Sequence, residues 1–129
     1  MSKVKQVILI RRDLKMRRGK EIAQGSHASG EFLLSKVRQS VESSLISLEL
    51  KDVEKHWIKE GMAKICLKVN SEEQLHALHK EALAKGLESH LIRDSGRTEF
   101  SGQPTYTACA IGPDYAKEID SITKDLTLY

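Results

Sequence analysis

Cysteine is scarce in this sequence: two residues in 129, Cys66 and Cys109, each inside an apolar, strand-like stretch. Neither stands in a Cys-x-x-Cys spacing or near clustered histidines, so both read as buried small side chains and no metal site is expected. No apolar run approaches the roughly 20 residues needed to cross a bilayer, and Met1 to Lys5 lack the apolar stretch of a signal peptide. A cytoplasmic protein without a membrane partner follows as the expectation. Aromatic residues make up only 5% of the chain, and none forms a base-stacking signature beside the basic residues. Internal repeats, low-complexity tracts and linkers are missing too, so residues 1–129 are expected to form one domain.

What is present suits a soluble globular chain: 40% apolar and 30% charged residues, long enough to bury roughly two-thirds of its unfolded surface. The net charge of +3 permits an RNA partner without identifying one. Its distribution says more. Lys3, Lys5, Arg11, Arg12, Lys15, Arg17, Arg18 and Lys20 face a single acid, Asp13, within the first 20 residues. Such a run is commonly no more than a solvated face.

Val7 to Ile10 is continuously apolar and mostly β-branched, the pattern of a central strand covered on both faces. After a basic loop, Lys20 to about Val37 is helical in period, with Ile22, Ala23, Leu33, Leu34 and Val37 on one face. Gly25, Ala28 and Gly30 would allow close backbone approach. Ser40 to Glu60 reads as one or two amphipathic helical pieces, on Val41, Leu45 and Leu48 and then Val53 and Trp57, ending at Gly61. Ala63, Ile65, Leu67 and Val69 alternate with Lys64, Cys66 and Lys68 as a strand with one more exposed face. Ser71 is an N-cap, with Gln74 three residues on, for a helix carrying Leu75, Leu78, Ala82 and Leu83 that stops at Gly86. His90 to Arg93 and Tyr106 to Ile111 are two strands joined directly, hence antiparallel, and a last helix near Pro113 uses Ile119 and Ile122. The expected architecture is a three-layer α/β/α sandwich around a mixed, roughly four-stranded sheet.

Gly19-Lys20 puts a cation at the positive end of a helix, which costs roughly 0.3–1 kcal/mol unless an anion is near. It is not a Walker phosphate loop: Asp13 or Leu14 stands where the upstream glycine is needed and Glu21 replaces the hydroxyl. Helical spacing aligns Lys20, Gln24, His27 and Glu31 as a polar stripe able to line a crevice, although a lone histidine is more often structural. Ser26 cannot pair with His27, because adjacent helical residues do not face each other. Asp94-Ser95-Gly96-Arg97-Thr98 falls where a strand ends, a place that presents side chains over a rigid scaffold and that a plain turn would also explain. Thr105 and Thr107 point to one face, where a hydroxyl can meet Asp94 across the strand pair.

In order along the chain, Arg12-Asp13-Leu14-Lys15-Met16, Gly19-Lys20, Ala23-Gln24-Gly25-Ser26-His27-Ala28, Leu91-Ile92-Arg93-Asp94-Ser95-Gly96-Arg97-Thr98 and Ala110-Ile111-Gly112-Pro113 together resemble the archaeal and eukaryotic type of peptidyl-tRNA hydrolase. Thr98-Glu99-Phe100 and the Gly-x-Pro-Thr run resemble its bacterial and phage branch. The resemblance implies a small α/β fold, usually homodimeric, and a cofactor-independent hydrolase of peptidyl-tRNA that has left the ribosome prematurely. It also implies catalytic roles for Lys20, Asp94, Thr98 and Thr107, the last by alignment from Ala110-Ile111-Gly112-Pro113 across a loop about one residue longer than the common archaeal form. Gln24, His27 and the arginines Arg11, Arg12, Arg17, Arg18 and Arg97 are expected to bind substrate, the arginines through tRNA phosphates. Ile22 in place of alanine, and Ser29-Gly30 in place of a more apolar continuation, depart from the family pattern. Two other readings use the same residues: a non-catalytic RNA-binding module of this fold, and a hydrolase of another acyl-tRNA.

Overall fold

In the computed structural model the described residues are 3–129; Met1 and Ser2, where the stretch read as free of a signal peptide begins, lie outside them. Strand β1 (Val4–Arg11) is followed by α1 (Arg18–Val37), α2 (Asp52–Lys59), β2 (Lys64–Val69), α3 (Glu72–Ala84), β3 (Ser89–Asp94), β4 (Thr105–Tyr115) and α4 (Ala116–Thr123). The strands form one sheet in the order β2-β1-β4-β3, with β1 parallel to β2 and antiparallel to β4, and β3 antiparallel to β4. It is the mixed four-stranded sheet that the alternation of elements predicts.

The run Val7 to Ile10 is buried throughout because both sheet faces are covered. Val7 and Leu9 join Leu67, Val69, Cys109 and Ile111 beneath Leu75 and Ala82 of α3 and Ile119 and Ile122 of α4. Ile8 and Ile10 face the other way, with Ile92, Ala108 and Ala110 beneath Ala28 of α1. Alternate residues of one strand thus serve two cores. On the α1 side, buried Gln6 exchanges hydrogen bonds with Ser29, donating to its carbonyl at 3.0 Å and accepting from its hydroxyl at 2.6 Å. Ser29, an apparent departure in an apolar helix, is what satisfies that buried amide. Gly112 has φ +100°, and a side chain there would come within 2.9 Å of the Lys5 carbonyl, so the Ala110-Ile111-Gly112-Pro113 motif is a packing requirement.

Several expectations fail on packing. The buried face of α1 is Gln24, Ala28 and Phe32, while Ile22 and Leu34 are exposed. Gln24 and Phe32 take the buried side through specific partners, Gln24 by bonding Asp94 and Phe32 by packing edge-on against Trp57, with Ala28 between them over the sheet. No helix forms over Ser40 to Leu48, where Val41 and Leu45 are exposed. There Ser43 donates to the Leu45 carbonyl and accepts from the Leu45 amide, local bonds that compete with helical ones. Cys66 lies exposed near the sheet edge instead of buried, as Cys109 is, and Leu83 also faces solvent.

The cap at Ser71 forms as expected. Its hydroxyl accepts from the Gln74 amide at 3.0 Å, while the Gln74 side chain reaches back to the Asn70 amide at 2.8 Å. Ser71→Ala is expected to lower unfolding free energy by about 1 kcal/mol, read as a lower urea midpoint at unchanged slope. An unshifted midpoint would show that water replaces the cap at no cost.

Candidate active site

The sheet delivers Asp94 at the C-terminal end of β3, and the first turn of α1 delivers Lys20 opposite it. The ammonium of Lys20 donates to Asp94 Oδ1 at 2.9 Å and to the Thr98 hydroxyl at 2.8 Å. Both charged side chains are nearly nine-tenths buried. The anion that a cation at a helix start requires is therefore supplied by the protein itself.

Two further contacts hold Asp94, and a third holds the residue that makes one of them. Gln24, one turn after Lys20, donates to Oδ1 at 3.3 Å; the Gly96 amide donates to Oδ2 at 2.8 Å; and the Gln24 carbonyl oxygen accepts from the buried Thr107 hydroxyl. Thr107 reaches Gln24 because the β3–β4 ladder shifts register, Ile92 facing Ala108 and Arg93 facing Tyr106, which leaves Thr107 without a partner in β3. Gly96 has φ +84°, and a Cβ there would lie 2.3 Å from the Gln103 carbonyl oxygen. Only glycine fits this turn, which aims its amide at the carboxylate. Burial alone would push the Asp94 carboxyl up. The Lys20 ammonium, the Gly96 amide and the Gln24 amide outweigh it and hold the carboxyl below its ordinary value.

Phe100 completes the wall, its ring centroid 5.8 Å from the Lys20 ammonium and its backbone in the left-handed region at φ +66°. A bulky residue is strained there. The roles of Phe100 and Gly96 escaped the sequence reading, although both lie within the motif around Thr98. Neither threonine of β4 bonds to Asp94: Thr105 turns back to the Gln103 carbonyl at 2.8 Å, and Thr107 acts on Gln24.

The residues expected to bind substrate lie in different surroundings. Arg11 is buried, held by Asp13 at 2.6 Å and donating to the Tyr106 carbonyl at 3.0 Å, so its charge is spent inside the fold. His27 is half exposed and stands 3.5 Å from Glu31, one turn further along α1. Gln24, expected at the substrate, is buried among the supporting bonds. Arg12, Arg17, Arg18 and Arg97 are exposed, Arg17 lying 3.4 Å from Glu99. No group of three metal-ligating side chains occurs among the described residues, and no helix among them is long and apolar enough to cross a membrane.

Comparison with known proteins matches residues 4–129 to the family described as "Peptidyl-tRNA hydrolase PTH2". A Methanopyrus kandleri protein named peptidyl-tRNA hydrolase is 44% identical over 125 residues, covering 96% of this chain and 97% of its own. One from Methanococcus maripaludis is 42% identical over 123 residues (95% and 97%), and one from Methanocaldococcus jannaschii 38% over 125 residues (97% and 99%). These relatives are archaeal, and they lend no support to a bacterial or phage branch.

The cluster carries a titration signature. With its folded pKa depressed, Asp94 contributes stability that is fully present above the unfolded value of about 3.9 and lost as pH falls through the folded one. Lys20→Met removes the chief opposing group and leaves burial, so the Asp94 carboxyl should titrate at higher pH than in the parent by NMR. An unchanged titration would mean that Lys20 does not govern this carboxylate.

Proposed function

The chain belongs to the peptidyl-tRNA hydrolase PTH2 family, and we propose that Lys20, Asp94 and Thr98 are the groups that meet its substrate, held in place by Gln24 and Thr107. Its reaction is hydrolysis of the ester between peptide and tRNA in peptidyl-tRNA. The observation that supports the residue assignment is a single ammonium within 3 Å of both the carboxylate and the hydroxyl.

Ester hydrolysis needs a placed water, a stabilised oxyanion and a proton for the departing 3′ oxygen of the ribose. An ammonium has three N–H groups, and two of those on Lys20 are engaged by Asp94 and Thr98. The third is free for the developing oxyanion. A carboxylate held below its usual pKa is a weak base near neutrality, so Asp94 orients the attacking water more than it deprotonates it. Thr98 accepts from Lys20, which leaves its own proton to donate to the ester. Thr107 is completely buried, and among the described residues its hydroxyl bonds Gln24 alone, so it is a positioning residue, as Gln24 is.

Exposed Arg12, Arg17, Arg18 and Arg97 flank this cluster and suit the phosphates of the tRNA, a contact that reads backbone charge and not base sequence. The reading also includes one domain over residues 1–129, action in the cytoplasm that returns tRNA for reuse, and a homodimer. Support for the dimer is the open, largely apolar groove beside α1 lined by Ile8, Ile10 and the exposed Ile22.

The direct test is incubation with N-acetylated aminoacyl-tRNA, scored by release of free tRNA against the unblocked aminoacyl-tRNA. Asp94→Asn and Lys20→Ala should each lower turnover at least about tenfold, roughly 1.4 kcal/mol of barrier, without unfolding the protein. Rates near the parent's would remove both from the site. Replacing Arg17 and Arg18 together by alanine should reduce the slope of log affinity against log salt by up to about two, with little change in turnover at saturation. An unaltered slope would return these arginines to the status of a solvated charge run.

A further inference from the structure

The two edges of the sheet are treated differently. Along β2 the chain's own C-terminal residues close the edge: the Lys68 amide donates to the Thr127 carbonyl at 3.0 Å, the Tyr129 amide donates to the Cys66 carbonyl at 3.1 Å, and Leu67 faces Leu128 in an antiparallel bridge. At the other edge lies β3, which ends at Asp94. The Gly112 amide donates to the Glu88 carbonyl at 2.8 Å, and the pairing continues through His90 with Ala110 and Ile92 with Ala108. Antiparallel alternation then turns the backbone groups of Ser89, Leu91 and Arg93 away from β4. Among the described residues these three have no backbone partner beyond the sheet.

We propose that this free edge of β3 holds the peptide part of the substrate as an added strand, its esterified C-terminal residue beside Asp94 and its earlier residues running back along Arg93, Leu91 and Ser89. The inference rests on the hydrolase reading given above. Since the ester sits at the C-terminal end of both peptide and β3, the added strand runs parallel to β3. A hydrolase acting on unfinished peptides meets every sequence, and the repeating amides are the feature all of them share. An edge strand reads those amides through main-chain hydrogen bonds. The edge is only six residues long and carries His90, Arg93 and Asp94, features that discourage pairing between copies while leaving its N–H and C=O groups open.

Successive amides of an added strand point alternately toward β3 and away from it, and this supplies a test that leaves the enzyme unaltered. The substrates are tRNAs esterified with N-acetylalanine, with N-acetyltetraalanine, and with tetraalanines N-methylated at the second or at the third residue. Lengthening the peptide should lower KM at least about threefold with little change in kcat, the mark of added ground-state contact. One methylated isomer should lose that gain and the other keep it. Equal KM for the one- and four-residue peptides, or equal loss in both methylated isomers, would overturn the proposal. Cleavage of N-acetylalanyl-tRNA in the same assay keeps such a failure separate from failure of the hydrolase reading, which that substrate tests by itself.

Discussion

The contact between Lys20 and Asp94 ties the start of α1 to the end of β3, and the rest of the site is arranged around it. An ammonium in the first turn of a helix stands in an unfavourable field, and a carboxylate buried at a strand end loses its water. Each offsets the cost of the other at 2.9 Å. Breaking one partner would leave a buried charge uncompensated, which makes the pair strict about geometry even where it adds little net stability.

That strictness explains the supporting cast. Gln24 adds a second donor to the carboxylate oxygen that Lys20 holds, the Gly96 amide donates to the other oxygen, and Thr107 fixes which way the Gln24 amide points. A register shift in β4, which would otherwise look like an irregularity, frees Thr107 for this task. The seating of α1 on the sheet through Ala28, packed with Ile8, Ile10 and Ala108, brings Lys20 and Gln24 within reach of β3. Phe32 is buried on the same side, while Ile22 and Leu34 face outward.

Charge and hydrogen-bonding capacity divide between two surfaces around that centre. The exposed arginines proposed to meet phosphate lie in the loop after β1, at the start of α1 and in the loop after β3, whereas the outer edge of β3 offers main-chain groups. A substrate that is part nucleic acid and part peptide calls for both kinds of recognition, meeting at one ester.

Local order along the chain was legible in the sequence. Period-two and period-3.6 patterns, the Ser71 cap and the unbroken apolar run in β1 located every strand and four helices, because propensity and capping act over a few residues. The motifs around Lys20 and Asp94 also singled out the two charges that meet. What tertiary structure alone decided was which residues face what. Ile22 and Leu34 share an apolar face with Leu33 and Val37, yet the buried face is Gln24, Ala28 and Phe32, because Gln24 bonds Asp94 and Thr107 of the sheet and Phe32 packs edge-on against Trp57. Arg11 and Arg17 are alike in sequence. One is buried against Asp13 and the other stands in solvent, a difference set by which side of β1 and its loop the sheet covers. Thr107 lies 83 residues from Gln24 along the chain, and no local pattern could pair them, because their contact depends on a register shift between two strands and on the depth of a helix above the sheet.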